Sequence, residues 1–299
     1  MRTITIAALN VVLPAPHRPS RYVELWSAAS SIRGPVKLRG DTGGFIGSAR
    51  HVDPGSRSDR FEGDFFKFIN IDTAGKWLDL RTGRAMDKDA VDRQVRIPEN
   101  LRPNLRMLPY VFFPRSHRLV FVSHLDPKSS LSPGMARSLV EQCLQREDFV
   151  ERFGKAEVTV EPDRETLRRI FSLPRLKTLR IEVSPPNALA DVERRLFRSM
   201  DAQNADRLVQ EYESKRPDGL RPTEDLKELA EVAQSNGVVS AKGVGDEGRV
   251  VSLSTEDHPH QEKIVYNPRL QTAIDALLAR AAGIVDRLLA RDRNDAAGG

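Results

Sequence analysis

Between Tyr110 and Val183 short apolar runs alternate with amphipathic stretches, and no other feature limits the possible folds so strongly. Tyr110 to Phe113 and Leu119 to Leu125 are apolar runs joined by Pro114-Arg-Ser-His-Arg118, the pattern of a hairpin. Ser132 followed by Pro133 then marks a helix start, because a serine hydroxyl caps free N–H groups and proline suits the first helical position. The spacing predicts that helix to run to Gln145. Glu157 to Glu161 predicts a strand, Pro162-Asp163 the start of a helix carrying Leu167, Ile170 and Phe171, and Leu176 to Val183 another strand. The order β-β-α-β-α-β suits one sheet with helices packed on it.

Outside this segment, Thr3 to Leu13 alternates and is rich in β-branched residues, which predicts a strand. A helix from Ser20 to Ile32 follows, with Tyr22, Leu25, Trp26 and Ala29 on one face. Short strands are expected at Val36 to Arg39, Phe45 to Val52 and Phe65 to Ile71, the first two joined by a Gly40–Gly44 turn. Asp72 to Pro109 reads as a long excursion poor in hydrophobes, with a short strand at Gln94 to Ile97. Pro185-Pro186 marks a boundary. Beyond it, Asn187 to Tyr212 predicts a long helix with a thin stripe at Leu189, Val192, Leu196 and Met200. A helix from Thr223 to Ser235, strands at Val238 to Lys242, Arg249 to Ser254 and Lys263 to Tyr266, and a last helix striped by Leu277, Ala281, Ile284 and Leu288 complete the chain.

These elements predict an α+β fold: a mixed or antiparallel sheet with packed helices, plus a smaller C-terminal helix–three-strand–helix module. The expected division is residues 1–185 for the N-terminal part, 186–216 for a connecting helix and 217–299 for the module. With 299 residues, the chain has room for one large or two modest units. No run of eighteen apolar residues suggests a membrane span, and the start reads as a strand rather than a secretion signal, so the cytosol is the expected compartment. The single cysteine, Cys143, allows no intramolecular disulfide; on its amphipathic helix it reads as a small buried hydrophobe.

Charge is unevenly distributed. Residues 1–118 hold 20 Lys+Arg and 12 Asp+Glu, giving +8, whereas the remainder holds 27 and 30, giving −3, for the total of +5. Such an excess can steer a polyanion. Arginine suits phosphate because its planar donors fork onto two oxygens. The candidate contacts are Arg39, Lys76, Arg93, Arg96, Arg102, Arg106, Arg115, His117 and Arg118, with Trp77 beside Lys76 as a stacking surface.

Catalytic signatures are missing. No phosphate-binding loop, nucleophile elbow or His-Glu-x-x-His motif occurs, and no cofactor is expected. Gly40, Gly43, Gly44 and Gly47 precede no helix start, so they do not form a dinucleotide fingerprint. His258-Pro-His260 beside Asp257 has donors that suit zinc or manganese, and also reads as a turn. Asp64, Asp72 and Asp79 are the carboxylates that a two-metal nuclease would need.

Several strings resemble a bacterial family known only as a domain of unknown function. They are Pro35-Val-Lys-Leu-Arg-Gly-Asp41, Ile97-Pro-Glu-Asn-Leu-Arg-Pro103, Tyr110-Val-Phe-Phe-Pro-Arg-Ser-His-Arg118, Glu157-Val-Thr-Val-Glu-Pro162, Pro174-Arg-Leu-Lys-Thr-Leu-Arg180 and Ser254-Thr-Glu-Asp-His-Pro259. That family brings no established active site. In layout the chain is also similar to the RexA protein of the lambda phage exclusion system and to the B subunit of the Kiwa anti-phage system. This likeness implies a DNA-binding or phage-sensing role in phage defence, and a second defence protein or a second copy of the chain is the expected partner. The resulting expectation is a non-enzymatic nucleic-acid-binding protein, DNA being the expected ligand. A metal-dependent nuclease-like effector and a protein-interaction subunit that uses the Leu196 stripe or the last helix remain the alternatives.

Overall fold

A computed structural model describes residues 1–32, 34–72, 75–94, 97–98, 100–184, 191–245 and 248–297. The first half contains β1 (Arg2–Val12), α1 (Pro19–Ala29), β2 (Val36–Arg39), β3 (Thr42–Val52), β4 (Arg60–Ile69), β5 (Leu78–Asp79), β6 (Arg84–Ala85), α2 (Lys88–Gln94), β7 (Arg106–Phe113), β8 (Arg118–Asp126) and β9 (Ser129–Ser130). There follow α3 (Pro133–Leu144), α4 (Glu147–Phe153), β10 (Glu157–Val160), α5 (Arg164–Phe171), β11 (Arg175–Val183), α6 (Asp191–Asp201) and β12 (Leu208–Glu213). The chain closes with α7 (Glu224–Asn236), β13 (Gly237–Val244), β14 (Val250–Ser254), β15 (Gln261–Tyr266) and α8 (Ala273–Ala297). The fold is α+β, and the sheet pairings are antiparallel. Among the described residues no helix is long and apolar enough to cross a membrane.

The main sheet runs β10-β1-β8-β7-β4-β3-β2, with β15 also on β1 and β9 on β8. Successive side chains on a strand point to opposite faces, and here helices cover both faces. Leu9 and Val11 of β1 pack with Tyr22, Leu25 and Trp26 of α1 and with Leu139 and Val140 of α3. Ile4, Ile6 and Ala8 pack with Leu277, Ala281 and Ile284 of α8. This double cover explains why β1 is apolar almost throughout. Trp26 anchors the first layer: its ring stacks on Phe112 at 4.2 Å and its indole N–H donates to Tyr110 Oη at 3.3 Å. Cys143 is buried in the same layer, and burial pushes its thiol up to about 11.

A second sheet, β12-β11-β13-β14, has its own core of Leu179, Ile181, Val183, Ala230, Ala233 and Val239 beneath α5 and α7. Two sheets therefore replace the single one that the β-β-α-β-α-β order suggests: β10 joins the first and β11 the second. The C-terminal stretch is likewise shared between them. β13 pairs with β11, whereas β15 pairs with β1, Arg2 opposite Tyr266 through Ala7 opposite Gln261. The expected helix–three-strand–helix module does not fold on itself, because the α8 stripe finds its apolar surface on the main sheet. Divisions at 186 and 217 therefore cut through both sheets. The second sheet is instead an insertion between β10 and β15. Its two ends lie side by side, where Asp163 N donates to His258 O at 2.8 Å and His260 N donates to Glu161 O at 2.8 Å.

The helix predicted from Asn187 to Tyr212 is shorter. Helix α6 ends at Asp201, Asn204 adopts a left-handed φ of 50°, and Ala205 N donates to Met200 O at 2.9 Å. Asparagine tolerates that conformation and so terminates helices as glycine does. Leu208–Glu213 then pairs with β11. Leu189, the Val192 side chain and the Pro185-Pro186 break lie outside the described residues. Met200 is buried and Leu196 packs on the second core, and the α8 stripe is internal. At the other excursion, Gln94 closes α2 rather than opening a strand, and Val95 and Arg96 lie outside the described residues.

Where the insertion meets the main sheet, Asn10, Arg118 and Glu161 face the α8 side and are buried. Arg118 Nε lies 2.6 Å from Glu161 Oε1, and an Arg118 guanidinium N–H donates to Asn10 Oδ1. Two charges so deeply enclosed persist only as a pair. The variant Arg118→Met leaves the Glu161 carboxylate uncompensated and is expected to lose about 3–5 kcal/mol of stability in urea denaturation at pH 7. Adding Glu161→Leu should restore most of that loss. Equal destabilisation of the single and double variants would show that the pair is not the cause.

Candidate nucleic-acid interface

An antiparallel sheet gathers its chain reversals at two ends, so residues distant in sequence line up there. One end of the main sheet collects Arg2 at the start of β1, Lys128 after β8, Arg106 at the start of β7, Lys67 near the end of β4, Arg102 in the loop before β7 and Arg39 at the end of β2. Five strand-to-strand steps separate β1 from β2 in this order, which at about 4.8 Å each gives a row about 24 Å long.

Backbone carbonyls hold several of these cations in place. Arg106 Nε donates to Lys128 O at 3.1 Å, and Lys67 Nζ donates to Ser130 O at 2.7 Å. Arg102 Nε donates to Asn70 Oδ1 at 3.0 Å, while Asn70 N donates to Asp41 O at 2.7 Å and Ile69 N to Pro103 O at 3.1 Å. Those bonds tie the β2–β3 turn, the end of β4 and the loop before β7 into one surface. A neutral carbonyl orients a cation but leaves its charge uncancelled. Among the described residues no carboxylate comes within 4.0 Å of the charged heads of Arg39, Lys67, Arg106 or Lys128. Burial, and then the nearby Arg106, lower the pKa of Lys67. Asp126 is held below the usual carboxylate range chiefly by the Lys128 N–H, with a contribution from Arg106.

Several arginines elsewhere are paired with carboxylates. Arg50 and Arg60 both grip the buried Glu62, at 2.6 and 2.8 Å, and Arg180 and Arg207 share Glu182. Lys67 and Arg106 meet carbonyls instead.

A family model described as "Domain of unknown function (DUF4747)" matches residues 2–282. The chain belongs to the DUF4747 family. No curated protein matches it.

In this DUF4747 chain the nine basic residues singled out from the sequence do not form one patch. Arg39, Arg102 and Arg106 come together. Lys76 and Arg93 are exposed on the excursion between β4 and β7, and Arg96 lies outside the described residues. Arg115 belongs to the opposite end, about 23 Å along β7 from Arg106, and donates to Gly55 O at 2.8 Å. His117 and Arg118 are not surface contacts at all, being 8% and 2% exposed. A left-handed φ of 58° turns His117 inward, where its ring stacks on Tyr22 at 3.7 Å. Tyr22 Oη accepts from Leu13 N at 3.1 Å, and burial pushes its hydroxyl up to about 12. Arg118 is taken up by Glu161.

Sequence reading missed Arg2, Lys67 and Lys128. Their common signal is position, since each lies at or near the end of a strand that the register brings to the same side. The aromatic side chains flanking Lys67 serve the core. Phe65 and Phe68 are buried and Phe66 packs edge-on against Phe45 at 5.0 Å. Trp77 is half-buried, and its indole N–H is enclosed with no hydrogen-bond partner among the described residues.

The remaining polar clusters are fasteners. His258 Nδ1 lies 3.1 Å from Ser254 O, and His260 Nε2 lies 3.1 Å from Glu262 Oε1. Arg287 of α8 clamps Glu262 at 2.6 and 2.8 Å. Among the described residues no three His, Cys, Asp or Glu side chains gather in a metal-holding group. Asp64 sits mid-strand on β4, its pKa raised by burial, while Asp79 accepts from Arg81 N on the β5–β6 ribbon.

Because Arg106 lowers the pKa of Lys67, Arg106→Gln should raise it. A heteronuclear NMR titration of the Lys67 side chain is expected to show the wild-type amine titrating below free lysine and moving upward in the variant. An unchanged midpoint would remove the coupling between the two cations.

Proposed function

We propose that this DUF4747 chain is a non-enzymatic nucleic-acid-binding protein that contacts phosphates along the basic end of its main sheet. The observation that carries this reading is the row Arg39, Lys67, Arg106 and Lys128, whose charged heads have no carboxylate within 4.0 Å among the described residues, with Lys67 and Arg106 held by backbone carbonyls. Positioned cations that keep their charge suit a polyanion: they release condensed counterions on binding and lose little side-chain entropy. Service in antiviral defence is part of the proposal, as the expectation drawn from the likeness in sequence layout to phage-exclusion and anti-phage proteins.

A second reading, protein interaction, has its own observation. The segment around the row exposes Ile71, Leu78, Leu80, Leu101, Leu105 and Met107, and Leu80 is 88% exposed. Apolar side chains concentrated at one end mark contact surfaces between proteins. Under that reading a second copy of the chain covers them, and Leu80→Glu should convert a dimer into a monomer in multi-angle light scattering. A monomeric wild type would dismiss self-association through this segment.

The test of nucleic-acid binding is fluorescence anisotropy with labelled single-stranded DNA, duplex DNA and RNA over a range of salt. Binding is expected to fall steeply with salt. The double variant Arg106→Gln with Lys128→Gln should weaken it and reduce the slope of log K against log salt by about 1.4 on single strands, or about 1.8 on duplex. Arg115→Gln, at the far end, should leave the slope unchanged. A response to Arg115 but not to Arg106 and Lys128 would refute the placement.

A further inference from the structure

The basic row ends in a cleft. Beside Lys128, the turn after β8 and the connection from β15 to α8 enclose about 950 Å³, lined among others by Arg2, His124, Pro127, Arg269 and Leu270. That volume falls within the range of about 300–1,000 Å³ in which proteins enclose small molecules. The cleft combines the cations Arg2 and Arg269, an exposed imidazole and apolar walls from Pro127 and Leu270 with two carboxylates, Asp126 and Asp275, which accept from Lys128 N and from Thr272. It is continuous with the row, because the Asp126–Lys128 turn that walls it also supplies the carbonyl that holds Arg106.

Resting on the nucleic-acid reading above, we infer that this cleft receives one unstacked nucleotide of a single strand whose phosphates follow the row. The chemistry supports each part. A base has two apolar faces and polar edges, and single-strand binders hold bases against ring faces while cations track the backbone. Arg2 and Arg269 suit the adjoining phosphates, and the His124 ring, Pro127 and Leu270 suit the base faces. A base inside a duplex reaches such a cleft only after being unpaired and unstacked, which costs binding energy. The site therefore discriminates in favour of single strands, while the row by itself does not.

The full-length protein is titrated with a labelled single-stranded twelve-nucleotide oligomer and with the same sequence as a duplex, at one salt concentration. The variant His124→Ala with Leu270→Ala removes two exposed cleft walls, and thermal melting confirms that it stays folded. Wild type is expected to bind the single strand about tenfold more tightly than the duplex. The variant should lose that preference with its duplex affinity unchanged. Oligomers carrying a photoreactive 4-thiothymidine should crosslink within residues 124–127 or 268–273, located by mass spectrometry. Equal wild-type affinity for both forms, or an equal loss for both in the variant, overturns the cleft assignment while leaving the row intact. Absence of binding to either form overturns the cleft and the nucleic-acid reading together.

Discussion

Strand β1 divides one of its edges between two partners that are far apart in the chain. Leu9 to Val12 pair with Val160 to Glu157, and Arg2 to Ala7 pair with Tyr266 to Gln261. Everything between β10 and β15, including the whole second sheet, therefore leaves and returns at one point on the main sheet. Two backbone hydrogen bonds and the bridge between Pro162 and Pro259 close that point. The buried Arg118–Glu161 pair lies at the same place, joining β8 to the residue that follows β10. A charge pair in this position favours one register over its neighbours, because a slip by one residue would turn Glu161 to the other face and leave Arg118 unpaired.

Because β1 is central, both of its faces must be covered, and the covers come from opposite ends of the chain. Helices α1 and α3 supply one layer and α8 supplies the other. Helix α8 is fixed further by Arg287 gripping Glu262 of β15, the strand that leads into it. The last helix is thus part of the main body, although an insertion separates it from the rest in sequence. The same arrangement uses up the helical stripe that a protein-interaction reading would otherwise have made available.

Antiparallel pairing also decides where charge accumulates. At the Arg115 end, Glu62, Asp53 and Glu161 pair with Arg50, Arg60 and Arg118, while Arg115 meets a backbone carbonyl. At the other end, Arg106 and Lys67 meet carbonyls only. Leu101, Leu105 and Met107, in the loop before β7 and at its start, expose apolar side chains at the same end. Both features suit a contact surface.

The sequence by itself determined the local elements whose signals are short-range. The Ser132 hydroxyl accepts from Met135 N, as the Ser-Pro start implied, and Tyr22, Leu25, Trp26 and Ala29 are buried together, as their spacing implied. The α+β class followed from the same patterns, as did the buried state of Cys143. Tertiary structure alone decided which strand pairs with which. The apolar runs at β10 and β11 look alike, and only the packing of α5 and α7 sends the second to a separate sheet. It alone also decided the candidate interface. Arg118 and Arg106 are indistinguishable as letters in an arginine-rich segment, yet one faces a buried glutamate and the other faces solvent. A side chain's charge is written in the sequence, but whether that charge is cancelled depends on partners brought across the sheet from distant strands, and no local pattern encodes that distance.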